Sequence, residues 1–148
     1  VSFSRVLGVN HIGLAPKDPD KARWFFGQAL GLPLLGEELV LDQKTLTIMF
    51  GTTIPNHRED TGERLEILVP SAPGDGPIGK FLEKKGSGIH HVALTVQGLD
   101  RILDHLKGQG VRLIDETPRS GAHQTRIAFV HPESTGGLLV ELVEQKSN

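Results

Sequence analysis

Short apolar stretches alternate with segments of helical spacing along this chain, and the alternation runs through twice. Residues 6–14 are apolar and rich in β-branched side chains, so the first element expected is a strand. Asp18 suits a helix N-cap and Pro19 the first helical position. Ala22, Phe25, Phe26, Ala29 and Leu30 then fall at the spacing of one buried helix face, and Gly31 ends it with Pro33 just beyond. Strands are expected over residues 35–41, 45–50 and 64–69, with a polar loop over 55–60. A Pro/Gly-rich connector at 70–77 leads into a short helix in which Ile78, Phe81 and Leu82 share a face and Gly86 is the stop. The order then begins again. A strand over 89–96 precedes a helix carrying Leu99, Ile102, Leu103 and Leu106 on one face, stopped by Gly108 and Gly110, and strands follow at 111–114, 124–130 and 138–143.

The two halves match residue by residue at informative places. His11-Ile12-Gly13-Leu14 stands over His91-Val92-Ala93-Leu94 at an offset of 80, and Asp20 over Asp100 at the same offset. The closing strands also agree: Leu65-Glu66-Ile67-Leu68-Val69 and Val140-Glu141-Leu142-Val143-Glu144 each set a carboxylate inside an apolar run. The reading is one domain over 5–146, with modules at about 6–70 and 88–145 and a linker with its short helix at 71–87. A βαβββ module cannot cover its own sheet, so the expected fold class is α+β: two tandem βαβββ modules forming one curved mixed sheet with helices outside.

Composition narrows the function. Of 148 residues, 37% are hydrophobic and 23% charged, an ordinary globular balance. With 16 Lys+Arg against 18 Asp+Glu the net charge is -2, which argues against nucleic acid or an anionic membrane as partner and toward a small molecule. No apolar run approaches the roughly 18 residues of a membrane span, and Val1-Ser2-Phe3-Ser4-Arg5 lacks the core of a secretory signal, so a cytoplasmic protein is expected. The absence of cysteine excludes disulfides, thiolate nucleophiles and Fe–S clusters, so any metal must be held by histidine and carboxylate.

His11 shares its strand phase with Val9 and Gly13, and His91 with Ile89 and Ala93, which points both rings at a face of small or apolar groups. Glu66 and Glu141 are similarly enclosed. A histidine in a strand is ordinarily a hydrogen-bonded core residue, and a glutamate near a strand end ordinarily solvated. Here four positions agree under the repeat, and a buried carboxylate is costly without a cation, so His11, Glu66, His91 and Glu141 are read as ligands of one divalent metal. Two imidazoles and two carboxylates make an octahedral set with two open positions, suited to Co, Mn, Fe, Ni or Zn. His57, His105 and His123 are read as surface residues, His90 faces away from His91, and His131 precedes Pro132 at a strand end. Gly74-Asp75-Gly76-Pro77-Ile78-Gly79-Lys80 outlines a phosphate loop, but Phe81 replaces the Mg-binding hydroxyl and Pro77 removes an amide donor, so the segment is read as the start of a helix.

This pattern resembles the vicinal oxygen chelate (glyoxalase/bleomycin resistance) superfamily over nearly the whole chain. Within it, Asn10-His11-Ile12-Gly13, Gly88-Ile89-His90-His91-Val92-Ala93, the stretch from Asp115 to His123, Phe129-Val130-His131-Pro132 and the stretch from Gly136 to Leu142 resemble the methylmalonyl-CoA epimerases. The resemblance implies an acyl-CoA substrate epimerised at C2, a divalent metal with Co favoured, and a homodimer. It implies cytoplasmic location, or the mitochondrial matrix for a eukaryotic mature form. Glu141 and Glu66 are then the catalytic acid and base, and Arg119, Gly121 and Ala122 contact the acyl group. One departure stands out. Some of these epimerases align a glutamate with Thr47 and a glutamine with Glu66, so the second carboxylate has here moved to the ligand set, as in glyoxalase I. A glyoxalase I-like lactoylglutathione lyase and a non-catalytic small-molecule-binding member of the superfamily are the alternatives. An extradiol dioxygenase, with three open positions, fits a four-ligand set less well.

Overall fold

The computed structural model describes residues 4–52 and 63–146; the loop expected over 55–60, with His57, lies outside the described residues. The chain divides into two compact units, His11–His90 and Val1–Asn10 with His91–Asn148, the boundaries falling inside β1 (Arg5–Ala15) and β5 (Gly88–Gln97).

In the unit His11–His90, β1 runs parallel to β4 (Arg64–Pro70), which pairs antiparallel with β3 (Thr45–Gly51), itself antiparallel to β2 (Leu34–Val40). The order is β2-β3-β4-β1. Asp18 caps α1 (Pro19–Trp24) by accepting from the Lys21 amide at 3.1 Å. The helix then widens into a π-helical turn, Phe25–Ala29, closed by the Leu30 amide on the Phe25 carbonyl at 2.8 Å. That turn corrects the expected helix face. Ala22 and Phe26 pack against Ile48, Phe50 and Ile67, but Phe25, Ala29 and Leu30 are exposed; the extra residue of the wide turn carries Ala29 and Leu30, at its end, off the buried face. The segment 71–87 folds against this unit: α2 (Gly76–Lys85) lays Ile78, Phe81 and Leu82 on Ala15 and Leu68. Its start is the glycine-rich stretch. A Cβ on Gly79 would come within 2.4 Å of the Gly74 carbonyl carbon, so the stretch serves a tight helix start, as expected.

The second unit repeats the pattern. β5 runs parallel to β8 (Val140–Gln145), β8 pairs antiparallel with β7 (Thr125–Val130), and β7 with β6 (Arg119–Ser120), giving β6-β7-β8-β5. Between β5 and β6, α3 (Leu99–Gly108) buries Leu99 and Leu103 against Val96, Ala128, Val130 and Leu142. Each of those two leucines contributes about 1.5–3 kcal/mol. The N-cap of α3 is Gly98, which has no side chain to offer; Glu144 from β8 reaches over instead, its Oε2 accepting from the Gly98 amide at 2.6 Å and the Leu99 amide at 3.2 Å. Arg126 holds Glu144 Oε1 at 3.1 Å and the Asp100 carboxylate at 2.9 Å.

The strand expected at 111–114 is instead a single bridge, Leu113 to Val130, and the strand paired with β7 is Arg119–Ser120. A side chain takes the place of the ladder. The Phe129 amide is taken at 2.8 Å by the carboxylate of Asp115, where a ladder would need a backbone carbonyl, and Pro118 has no amide to give. The last strand starts at Val140 rather than 138, because Gly136 and Gly137 hold positive φ and the Leu138 amide turns to Thr135 Oγ1 at 3.0 Å. Among the described residues no helix is long and apolar enough to cross a membrane.

Candidate active site

Register builds the site. In the parallel pair β1/β4, Glu66 stands opposite Gly13, and His11 lies two residues before Gly13 on the same face. In β5/β8, Glu141 stands opposite Ala93, and His91 lies two residues before it. The two halves therefore present the same donor pair by the same construction. His11 Nε2 lies 3.5 Å from Glu66 Oε1 in one unit, and His91 Nε2 lies 3.0 Å from Glu141 Oε2 in the other. All four side chains are buried. Gly13 and Ala93 are small and buried, which leaves room for the carboxylates; Val9 and Ile89, on the other side of each histidine, are exposed rather than enclosing it.

The spacing suits a cation. Two ligand atoms about 2.1 Å from one metal at right angles lie about 3.0 Å apart, close to the separation within each pair. The donors are imidazole nitrogen and carboxylate oxygen, hard to borderline, matched to divalent first-row metals. The residues present thus fit the group that the sequence implies.

The other histidines do different things. His90 packs edge-on against Phe81 with ring centroids 5.1 Å apart. His131 Nδ1 accepts from the Glu133 amide at 3.0 Å, and His105 and His123 are exposed. Thr47 is buried on β3, and its hydroxyl donates to the Glu38 carbonyl at 3.1 Å.

Arg119 sits on β6 opposite Ile127, and Phe129 stands opposite Glu141, so both project on the face that carries His91 and Glu141. Gly121 and Ala122 lie in the turn between β6 and β7. The Gly121 amide donates to the Thr125 carbonyl at 3.0 Å, and the Ala122 carbonyl accepts from Thr125 Oγ1 at 2.7 Å. Sequence reasoning missed Phe129 and Asp115. Phe129 touches the His91 ring edge to face at 5.8 Å, and only the β7/β8 register reveals it as a neighbour of the site.

A family model described as the glyoxalase/bleomycin resistance protein/dioxygenase superfamily matches residues 10–129. The uncharacterized protein YqjC of Bacillus subtilis is 39% identical over 140 residues, covering 95% of this chain and 94% of that protein. The mitochondrial methylmalonyl-CoA epimerase of Bos taurus is 34% identical over 138 residues, covering 90% of this chain and 72% of its own length. A glutamate-to-glutamine variant of the Streptomyces coelicolor methylmalonyl-CoA epimerase, solved in complex with 2-nitronate-propionyl-CoA, superposes with a TM-score of 0.85 at 29% identity, covering 97% of this chain and 100% of that one. The resemblance read from the motifs is borne out, and so is the fold class.

Proposed function

Because the chain belongs to the glyoxalase/bleomycin resistance protein/dioxygenase superfamily, we propose that it is a metal-dependent methylmalonyl-CoA epimerase that inverts C2 of its acyl-CoA substrate by proton transfer. The observation that carries this reading is the buried His–Glu pair repeated at one register in both halves. His11, Glu66, His91 and Glu141 together would hold one divalent cation, drawn from Co, Ni, Zn, Mn and Fe, with Co favoured by the resemblance. When bound, it supplies positive charge against the negative charge that develops on the substrate.

Glu141 and Glu66 exchange the proton. One of the two, ionised, takes the C2 proton, and the electron pair of the broken C–H bond moves onto the thioester oxygen; the other, entering as the protonated carboxylic acid, gives its proton to the opposite face of C2 as that electron pair returns to carbon, and leaves as the carboxylate. Two carboxylates on equivalent strands of two modules support this two-sided transfer, and each acid or base of this kind is worth about 10²–10⁴-fold. Thr47 has no basic atom for the task. Arg119, Gly121 and Ala122 line the acyl side in this reading. A homodimer goes with it, supported by the exposed apolar Val6, Leu7 and Val9 near the start of β1. The setting is the cytoplasm, or the mitochondrial matrix for a eukaryotic mature form.

Incubation of the metal-loaded protein with one epimer of methylmalonyl-CoA in D₂O tests the reading: deuterium should enter at C2 while the other epimer forms. A protein that leaves C2 unexchanged but converts the methylglyoxal–glutathione adduct to a lactoyl thioester is the glyoxalase I-like lyase instead. One that does neither, and holds no metal, is a binding protein.

A further inference from the structure

Within the unit that carries His91 and Glu141, Phe129 and His91 meet as a perpendicular pair, with ring centroids 5.8 Å apart and an interplanar angle of 84°, an arrangement that aromatic rings prefer. The surroundings of Phe129 leave its ring little freedom. It packs on the buried cluster of Ala93, Ile127 and Val143, its amide donates to Asp115 Oδ2 at 2.8 Å, and the Arg119 guanidinium carbon lies 5.5 Å from its centroid. Register puts it there. Phe129 is the partner of Glu141 in β7/β8, and Glu141 is the partner of Ala93 in β5/β8, two residues along from His91. One ring thus stands beside both members of the donor pair.

An imidazole ligates in its ring plane, so Nε2 reaches a cation only over a narrow range of ring orientation. The torsion that sets this orientation is soft, because rotation about the histidine Cβ–Cγ bond is broad and roughly two-fold. His91 nevertheless has Nε2 3.0 Å from Glu141 Oε2, a separation that suits two ligands of one cation. A wall that fixes the plane beforehand removes an ordering cost from the binding step. The repeat supplies an internal contrast. Where Phe129 stands opposite Glu141, Met49 stands opposite Glu66, and a flexible thioether takes the place of the flat ring. The His11–Glu66 separation in that half is 3.5 Å. The two halves share their donors and differ in the wall beside them.

We propose that Phe129 is a positioning residue that sets the plane of the His91 imidazole, so that Nε2 is aimed at the cation position before a cation binds. This role rests on the ligand set of the proposed function. Cobalt(II) titration, together with NMR of the His91 ring protons in the metal-free protein, tests it. In the wild type the Phe129 ring current should displace the His91 signals. Phe129→Leu should abolish that displacement and raise the cobalt dissociation constant about tenfold or more, and Phe129→Tyr, which keeps the ring, should restore both. Ile127→Val trims the same buried cluster but leaves the ring pair, so its unfolding midpoint should fall while cobalt affinity and the His91 signals stay as in the wild type. Cobalt affinity unchanged in folded Phe129→Leu overturns the proposal, as does an equal loss of affinity in Ile127→Val or a set of His91 signals that ignores Phe129→Leu. If Phe129→Leu does not fold, Phe129→Met carries the same test with the same outcomes. A wild type that binds no cobalt overturns the ligand set and this role together, whereas cobalt held equally by wild type and Phe129→Leu overturns this role alone.

Discussion

Glu141 stands directly opposite Ala93 in the parallel pairing of β5 with β8, and Ala93 is completely buried. A parallel pair sets such partners on one face with their Cβ atoms close together, so the size of residue 93 fixes how far the Glu141 carboxylate can turn toward His91. Ala93→Leu should therefore displace the carboxylate and lower metal affinity by at least about tenfold, while overpacking costs about 1–3 kcal/mol of stability. Metal titration followed by mass spectrometry of the loaded protein reads the first effect, and thermal unfolding of the metal-free protein reads the second.

Strand phase separates adjacent histidines. His91 meets Glu141 at 3.0 Å, whereas His90 rests on Phe81. His91→Ala should abolish turnover and most metal binding, and His90→Ala should leave most metal bound. Equal metal loss in the two variants would contradict the ligand assignment.

Chemistry and metal binding separate at Glu141. Glu141→Gln keeps an oxygen donor but removes basicity, so some metal should remain while epimerisation falls by about 10²-fold or more. Thr47→Ala removes only the hydroxyl that donates to the Glu38 carbonyl, and its turnover should stay within a few-fold of wild type, near what the loss of one hydrogen bond of about 1 kcal/mol allows. The comparison is made by proton exchange at C2, with metal content measured on the same samples.

The start of α3 depends on a residue 45 positions away. Glu144 accepts from the Gly98 and Leu99 amides, and Arg126 braces it. Glu144→Ala leaves those amides without their carboxylate and should cost about 1–2 kcal/mol, read as a lower urea midpoint with an unchanged slope. Glu144→Gln should recover part of the loss.

Much of this was legible in the chain itself. The doubled βαβββ order, the offset of 80 between His11 and His91, and the carboxylates set in apolar closing strands are local patterns, and local patterns survive without knowledge of what pairs with what. Residue type and strand phase single out His11, Glu66, His91 and Glu141 as candidates, and the structure buries all four, because a two-residue period dictates the face on which a side chain emerges. Three things came only from the folded chain. The π-helical turn after Trp24 rotated Ala29 and Leu30 to the surface, a change of about one residue per turn that composition does not announce. The Asp115 carboxylate displaced a strand from 111–114 to Arg119–Ser120 by capturing the Phe129 amide, a competition between side chain and backbone decided across 14 residues. Register, finally, set Glu66 opposite Gly13, Glu141 opposite Ala93 and Phe129 opposite Glu141. Pairing between distant strands is fixed by how whole faces bury together, so the sequence states which side a residue takes and the tertiary structure states which partner it meets.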